Sequence, residues 1–295
     1  MKKLLILTNP YSGKKKGKKI LKNVLNIFSN TPYDLITTKY KNHPYEIAKT
    51  ININNFSGIC IIGGDGTMHE VINGMLARAD KKELPIGLVP GGTGNSFMHD
   101  MNCLNPTDAA KQIIKLKTQK IDLIKIETDN KIIYSFNVAG WGMPPDINIL
   151  AEKMRWFGGQ RYNIASLIEI MKFTKRQCNL IINNENILDD YSLVLCCNTI
   201  HTGKGMKIAP KAKLNDGLMD LVLIKNVPRI KLLRLMPKIF TGEHINDNAV
   251  KYIHVSKIKL KPNKISQLNI DGEIKGFTPF ELSVLSNKIE IITSL

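Results

Sequence analysis

The stretch of sequence that decides the fold is residues 59–70, which read ICIIGGDGTMHE. A short apolar run, a glycine-rich turn and a helix-forming segment follow one another, which predicts a buried strand leading into a helix. Glycine lets backbone N–H groups approach an anion closely, and a helix N-terminus adds partial positive charge. Thr67 and Glu70 have the spacing of a capping box, so the helix is predicted to begin near Thr67. The stretch therefore predicts a strand, a phosphate-binding loop and a helix.

The same architecture occurs a second time in residues 86–96, IGLVPGGTGNS. Adjacent parallel strands end at one edge of a sheet, where open α/β folds bind their ligands, so both loops are expected at that edge. Neither loop has the spacing of a P-loop or of a G-x-G-x-x-G dinucleotide site. The spacing predicts a phosphate site and does not name the ligand.

Asp65 is an unusual residue for a loop that binds phosphate, because like charges repel. A carboxylate fits there if it reaches the phosphate through a divalent cation, or if it takes a proton from an acceptor hydroxyl. The alternative is that Asp65 is an extra cap in an ordinary strand-to-helix turn.

Strands and helices alternate along the first part of the chain. Strands are predicted over 4–8, 33–38, 58–62 and 86–89, and helices over 20–28, 44–51, 67–79, from 95 and over 109–116. This alternation indicates a doubly wound, mostly parallel sheet in an α/β N-terminal domain of residues 1–120.

From residue 121 the pattern changes to β-branched runs separated by turns, which predicts a mostly antiparallel β domain over 121–279. Two helical stretches, at 148–176 and 229–241, interrupt it. The tail, 280–295, is predicted to form a hairpin around Ser286-Asn287 that can pack back on the N-terminal domain.

The composition narrows the class of protein. The chain has 295 residues, a formal net charge of +17 and 43% hydrophobic residues, which excludes a disordered protein. The charge suits an anionic partner such as a nucleotide or a membrane surface, although a lysine-rich composition also arises from an AT-rich genome. No aromatic residue separates the lysines at 14–19, so no nucleic-acid partner is expected.

Cysteine usage and hydropathy indicate the compartment. The five cysteines show no C-x-x-C spacing, so free thiols in a reducing compartment are expected and zinc is not. The apolar run at 4–7 is too short for an export signal, and no stretch approaches the roughly 18 apolar residues of a spanning helix. A cytoplasmic protein, at most peripherally associated with the membrane, is expected.

Five motifs follow one another in order along nearly the whole chain. They are Asn9-Pro10-x-Ser12-Gly13, Gly63–Thr67, Pro90–Asn95, Asp216–Leu221 and Asp271–Glu273. Together they resemble the diacylglycerol-kinase catalytic-domain family, which includes bacterial diacylglycerol kinases, sphingosine kinases and ceramide kinases. The resemblance implies a lipid kinase with ATP held in the cleft between the α/β domain, which binds the nucleotide, and a β-sandwich domain, which binds the lipid.

The resemblance also implies which residues form the nucleotide site. They are Asn9, Pro10, Tyr11, Ser12, Gly13, Thr38, Gly63, Gly64, Asp65, Gly66, Thr67, Gly92, Thr93 and Asn95. Asp271 and Glu273 would lie across the cleft from Asp65. Phosphoryl transfer needs positioning, a Mg²⁺ ion and a group that accepts the hydroxyl proton. We assign Glu273 as the base, Asp65 as the alternative base and Asp271 as linked to the metal.

A structural Mg²⁺ is implied as well. Its ligands would be the Asp216 carboxylate and the backbone carbonyls of Lys213 and Leu218, which are the oxygen donors that a hard cation prefers. ATP and Mg²⁺ are therefore the expected cofactors.

The segment around Trp141 and Asp146 resembles the lipid-site region of sphingosine and ceramide kinases, so both residues are expected to bind the acceptor. Sphingosine kinases typically have Asp-x-Asp where this chain has Asp146-Ile147-Asn148. A second carboxylate could pair with the amine of a sphingoid base, and Asn148 lacks that charge. Diacylglycerol is the favoured acceptor and a sphingoid base the alternative.

A lipid acceptor implies peripheral contact with the membrane surface. Residues 229–241 are amphipathic and basic, and fit either a membrane surface or packing against the β domain. The sequence leaves the oligomeric state open, with a homodimer as one possibility.

Two other functions compete with this one. NAD kinases share a Gly-Gly-Asp-Gly-Thr loop, but usually show an Asn-Glu or Asn-Asp motif some tens of residues later, which Asn102-Cys103 and Asn105-Pro106 do not provide. A non-catalytic lipid-binding protein with a decayed kinase fold is disfavoured, because Asp65, Glu273 and both glycine loops are retained.

Overall fold

The computed structural model describes residues 2–129, 131–172, 175–203 and 205–293. Positions 173–174 of the helix predicted over 148–176, and the last two residues of the predicted tail, lie outside these ranges. The chain divides into two compact units. Unit 1 contains residues up to 121 together with those from 287 onward, and unit 2 contains residues 122–286.

Unit 1 is an α/β unit built on four parallel strands. The strands are β1 (Lys3–Thr8), β2 (Tyr33–Thr37), β3 (Phe56–Gly63) and β4 (Ile86–Pro90). The helices are α1 (Ser12–Lys15), α2 (Gly17–Val24), α3 (His43–Thr50), α4 (Asp65–Leu76), α5 (Ser96–Asp100) and α6 (Pro106–Ile113), with a 3-10 turn at Leu25–Phe28. The strand order is β2-β1-β3-β4, which confirms the predicted α/β fold with parallel strands.

The strand order places a topological switch point between β1 and β3. The chain moves outward from β1 to β2 and then returns to the other side of β1 to form β3 and β4. Residues 4–7 of β1 and 59–62 of β3 are fully buried, so both faces of these strands are covered. Ligands of open α/β sheets bind at the carboxyl ends of the strands beside such a switch point.

The capping-box prediction is wrong. Helix α4 begins at Asp65, two residues earlier than predicted, and its N-cap residue Gly64 makes no side-chain cap hydrogen bond. The hydroxyl Oγ1 of Thr67 accepts from Nδ2 of Asn9 at 3.1 Å, and Oε1 of Glu70 accepts from the backbone N–H of Asn42 at 3.1 Å. Partners distant in sequence have therefore replaced the local cap.

Unit 2 is a mostly antiparallel β unit with helices on one layer. Its strands are β5 (Thr118–Thr128), β6 (Lys131–Ser135), β7 (Val138–Gly142), β8 (Arg176–Ile182), β9 (Glu185–Cys197), β10 (His201–Thr202), β11 (Met206–Lys207), β12 (Met219–Lys225), β13 (Val250–Val255), β14 (Lys257–Pro262), β15 (Gln267–Ile270), β16 (Glu273–Phe277) and β17 (Phe280–Ile292). Its helices are α7 (Met143–Lys153), α8 (Arg161–Lys172) and α9 (Arg229–Thr241), with 3-10 segments at Arg155–Gln160 and Glu243–Asn246. Strands β5 and β17 contribute residues to both units.

Strand β9 shows why unit 2 is a sandwich. Along its buried end, Val194 and Cys196 point into one hydrophobic core, and Leu193, Leu195 and Cys197 point into another. The first core lies between strands, whereas the second also contains residues of α8 and α9. Side chains alternate between the two faces of a strand, so residues 193–197, which are buried on both faces, form a continuous apolar run. The β-sandwich prediction is confirmed.

The predicted tail hairpin is wrong. Residues 280–292 form one continuous strand, β17, with Ser286-Asn287 inside it. Residues 280–283 pair antiparallel with β14, and Ile291 pairs parallel with Ile86 of β4. Because the two halves pair with different strands, no turn is needed to satisfy them.

The described residues bear on two expectations from the sequence, that the chain has no membrane-spanning helix and that its cysteines are thiols. No helix among them combines the length and hydropathy of a membrane span. All five cysteines are buried, and none of them forms a disulfide. Burial raises the pKa of the Cys178 thiol to about 12, which keeps that thiol protonated and unreactive at neutral pH.

Candidate functional site

The loop after β1 is folded onto the end of β3. The side chain of Asn9 donates to Thr67 Oγ1 at 3.1 Å, and its Oδ1 accepts from the N–H of Tyr11 at 3.0 Å. The hydroxyl of Ser12 donates to the Asn9 carbonyl at 3.0 Å. The N–H of Asn9 donates to the carbonyl of Ile62 at 2.9 Å. One asparagine therefore fixes the first loop across the switch point.

Glycines let three loops pack backbone against backbone. A Cβ on Gly13 would lie 2.2 Å from the Gly91 carbonyl oxygen, and Gly13 also has a positive φ of 54°. A Cβ on Gly64 would lie 2.9 Å from the Cα of Gly92. The N–H of Gly91 donates to the Gly63 carbonyl at 2.6 Å. These loops, Asn9–Gly13, Gly63–Thr67 and Gly91–Asn95, form what we call the three-loop cradle.

Asp65 links two loops of the cradle. Its carboxylate accepts from the N–H of Ser96 at 2.8 Å through Oδ2 and from the N–H of Phe97 at 3.2 Å through Oδ1. Both amides are in the first turn of α5, so Asp65 caps the helix that follows the neighbouring loop. Asn95, in the left-handed conformation, accepts from the N–H of Gly92 at 2.8 Å. This geometry favours a positioning role for Asp65, and its role as a base stays a prediction.

The remaining predicted nucleotide residues lie at the same edge of the sheet. Thr38 follows β2, and its N–H and hydroxyl both donate to the Thr8 carbonyl, at 2.9 and 3.2 Å. Pro10 is buried, Gly66 is half-buried at the start of α4, and Thr93 is exposed at the tip of the third loop. The arrangement can surround a polyphosphate with backbone N–H groups.

In unit 2, Asp271 and Gly272 form the two-residue turn between β15 and β16. Both have positive φ angles, 50° and 84°, as in a type I′ hairpin. The Asp271 carboxylate accepts from Ser135 Oγ at 2.6 Å and from the N–H groups of Asn137 and Val138 at 3.0 Å each. This geometry favours a role in holding the turn against the start of β7. Its link to a metal stays a prediction.

Glu273 is the first residue of β16, directly after that turn. Its Oε2 lies 3.3 Å from Nζ of Lys275, and its side chain is 25% exposed. The two acidic residues of the motif therefore have different surroundings. Asp271 is bound to backbone amides, whereas Glu273 is half-buried and paired with a lysine.

Helix α7 packs beside this turn. Nδ2 of Asn148 donates a hydrogen bond to the carbonyl of Gly272. Asp146, in the first turn of α7, forms an ion pair with Arg176, a residue that the sequence analysis did not identify. Trp141 is 1% exposed, and its Nε1–H donates to Ser266 Oγ at 2.7 Å. This burial favours a packing role for Trp141, and its contact with the acceptor stays a prediction.

The loop that carries Asp216 is shaped by a buried acid that the sequence analysis also missed. Oδ2 of Asp122 accepts from the N–H of Gly217 at 2.6 Å, and Asp122 is fully buried. Oδ1 of Asp216 accepts from the N–H of Leu218 at 3.1 Å, and the Asp216 side chain is exposed. An exposed carboxylate is a ligand that suits Mg²⁺, and the parts of the Lys213 and Leu218 carbonyls in this site stay a prediction. Neither here nor elsewhere do the described residues contain a cluster of three His, Cys, Asp or Glu side chains that could hold a metal ion.

Comparison with known proteins covers both units. Residues 3–126 match the family described as diacylglycerol kinase catalytic domain, and residues 137–293 match the YegS C-terminal NAD kinase beta sandwich-like domain. A diacylglycerol kinase of Mycobacterium tuberculosis is 32% identical over 239 residues, which are 79% of this chain and 76% of the relative. Sphingosine kinase 1 of Arabidopsis thaliana is 28% identical over 333 residues, 92% of this chain and 68% of the relative.

A solved structure shares the fold. The crystal structure of a diacylglycerol kinase from Bacillus anthracis str. Sterne superposes with a TM-score of 0.83 and covers 99% of this chain and 97% of its own. The two sequences are 20% identical. At this identity the likeness establishes the common architecture and nothing finer.

Proposed function

The chain belongs to the diacylglycerol kinase family of lipid kinases, and we propose that it transfers the γ-phosphoryl group of ATP to a hydroxyl group of diacylglycerol. The observation that carries this proposal is the three-loop cradle at the carboxyl ends of β1, β3 and β4. The cradle includes the N-terminus of α4, where backbone N–H groups and the helix dipole attract phosphate oxygens. Sphingoid bases are the alternative acceptors, because a sphingosine kinase is among the relatives.

The chemical step breaks one phosphorus–oxygen bond, forms another and transfers one proton. The bond between the γ-phosphorus and the oxygen that bridges it to the β-phosphate breaks, and ADP leaves. A bond forms between that phosphorus and the acceptor hydroxyl oxygen, whose proton passes to the carboxylate of Glu273. The hydrogen bonds of Asp65 to Ser96 and Phe97 support Glu273 rather than Asp65 as the base.

The remaining residues hold the reacting groups in place. Asn9 and Asp65 fix the loops of the cradle, and Asp271 holds the turn that precedes Glu273. Asp216, with the carbonyls of Lys213 and Leu218, would hold Mg²⁺, which supplies a fixed positive charge to the loop. In phosphoryl transfer generally, Mg²⁺ also neutralises negative charge on the phosphates of ATP.

Purified protein with Mg²⁺ and labelled ATP is expected to label dioleoylglycerol in mixed micelles, and to lose that activity when EDTA is added. The products of a panel containing dioleoylglycerol, sphingosine, ceramide and NAD are resolved by chromatography. Labelling of sphingosine in preference to dioleoylglycerol would select the alternative acceptor. Labelling of NAD alone would refute the lipid kinase function.

A membrane surface is the proposed partner, with the protein on its cytoplasmic side. Trp156 and Phe157 lie side by side, with ring centroids 4.3 Å apart, and are 80% and 41% exposed. Leu167 and Met171, one turn apart on α8, are exposed as well. Aromatic residues of this kind insert at the boundary between headgroups and acyl chains. We call these four residues the exposed apolar set.

Replacing Trp156 and Phe157 by alanine is expected to reduce binding to vesicles of phosphatidylcholine and phosphatidylglycerol by roughly tenfold or more, because apolar area is lost. Sedimentation with the vesicles measures it. Leu188→Ala is the matched control, since Leu188 is also highly exposed but lies on strand β9. If the wild type, the Trp156/Phe157 double variant and Leu188→Ala bind the vesicles equally, the exposed apolar set is not the membrane contact.

A further inference from the structure

The acceptor hydroxyl must reach Glu273, and helix α7 lies beside the turn that carries Glu273. Asn148, in the second turn of α7, is 5% exposed and donates through Nδ2 to the carbonyl of Gly272. The preceding strand, β7, pairs with β15, which leads into the same turn. When the acceptor hydroxyl is in contact with Glu273, the polar head group of the acceptor therefore lies near the first two turns of α7.

The acidic residues of α7 are already neutralised by arginines. Asp146 forms an ion pair with Nη2 of Arg176, and Nη1 of Arg176 donates to the Gly142 carbonyl at 2.6 Å. Both side chains of this pair are less than one-third exposed. Glu152, further along α7, lies 3.0 Å from Nη2 of Arg161. Each carboxylate of the helix has a guanidinium as its partner.

This pairing decides which head groups can bind here. A protonated amine loses its hydration shell when it enters a site, and a carboxylate that is not already paired with a cation offsets that loss best. Asp146 with its guanidinium partner is nearly neutral as a unit, and Asn148 carries no charge. A glycerol hydroxyl flanked by esters loses much less hydration and needs no carboxylate.

We infer that Arg176 is a specificity-determining residue, which by pairing with Asp146 makes the acceptor site select neutral lipids over lipids with a protonated amine beside the hydroxyl. The inference rests on the proposed function. It deepens that proposal by naming the residue that excludes the sphingoid base. Arg176 acts through Asp146 and need not touch the acceptor.

The test compares sphingosine with N-acetylsphingosine, which differ in the charge of one nitrogen. Each lipid is measured as an acceptor and as a competitive inhibitor of dioleoylglycerol phosphorylation. The inhibition assay detects a lipid that binds but is not phosphorylated. The wild-type protein is expected to favour N-acetylsphingosine. Arg176→Gln leaves Asp146 without its guanidinium partner. We expect it to raise the ratio of kcat/KM for sphingosine to kcat/KM for N-acetylsphingosine at least about tenfold.

Two further variants separate charge from folding. The double variant Arg176→Gln with Asp146→Asn should lose the shift, because the freed carboxylate is gone. Arg176→Lys should restore the wild-type ratio, because it returns the positive charge. If Arg176→Gln does not fold, as judged by its thermal unfolding, Asp146→Asn decides: it leaves the guanidinium of Arg176 without its carboxylate and should shift the preference further towards N-acetylsphingosine, and an unchanged preference would overturn the inference.

The outcomes distinguish the inference from the function on which it rests. A wild-type ratio that favours sphingosine, or a ratio that Arg176→Gln leaves unchanged, would overturn the inference while lipid phosphorylation stands. Failure to phosphorylate dioleoylglycerol and every other lipid of the panel would instead refute the kinase function itself.

Discussion

Glu273→Gln is expected to lower the kcat of lipid phosphorylation by roughly 10²- to 10⁴-fold and to leave ATP affinity unchanged. The amide has nearly the shape of the carboxylate but cannot accept the proton of the acceptor hydroxyl. Steady-state kinetics with dioleoylglycerol measure kcat, and titration with a fluorescent ATP analogue measures affinity. The lost ion pair with Lys275 should cost less than about 1 kcal/mol in the free energy of unfolding.

Lys275→Gln is the matched control for this variant. It removes the same ion pair, whose Nζ lies 3.3 Å from Oε2, but keeps the carboxylate. We expect its kcat to fall far less than that of Glu273→Gln. Losses of the same size in the two variants would show that the ion pair matters and that Glu273 is not the base.

Asp65→Asn is expected to lower kcat/KM for ATP by at least about 10²-fold, because a displaced loop misplaces the phosphates. The asparagine side chain has one acceptor oxygen where the aspartate has two, so it cannot cap the N–H groups of both Ser96 and Phe97. Loss of the cap should also lower the free energy of unfolding by about 1 kcal/mol. Kinetics at varied ATP and urea unfolding measure the two effects.

Asp108→Asn controls for the loss of one acidic residue in unit 1. Asp108 lies in the first turn of α6, but its side chain is exposed and the helix is capped by Asn105 instead. We expect its kinetics to match those of the wild type. An Asp65→Asn protein with unchanged stability and ATP affinity but lost kcat would place Asp65 in the chemistry, whereas near-normal turnover would remove it from the mechanism.

Much of unit 1 could be predicted because its signals are local. The apolar runs at 4–7 and 59–62 are continuous since both faces of each strand are buried, and glycines mark the turns that follow. Parallel strands end at one edge, so the loops after β1, β3 and β4 had to share it. What the local pattern could not predict is that Asp65 caps the helix of the next loop.

Unit 2 was less predictable, because its strands are ordered by partners distant in sequence. The strand pattern indicated an antiparallel sheet, but the tail was predicted as a hairpin and is the single strand β17. Turn residues such as Ser286-Asn287 have a local preference for bending. Pairing with β14 on one side of them and β4 on the other outweighs that preference.

Composition and motif order were enough to identify an α/β unit, a β-sandwich and the kinase family, because burial, backbone freedom and turn chemistry act between near neighbours. The role of each carboxylate could not be predicted in this way, because its partners are distant in sequence. Ser135 and Asp271 are 136 residues apart, and Arg176 and Asp146 are 30 residues apart. A carboxylate is a base, a cap or half of an ion pair according to the donors around it. Those donors are assembled only when the chain has folded.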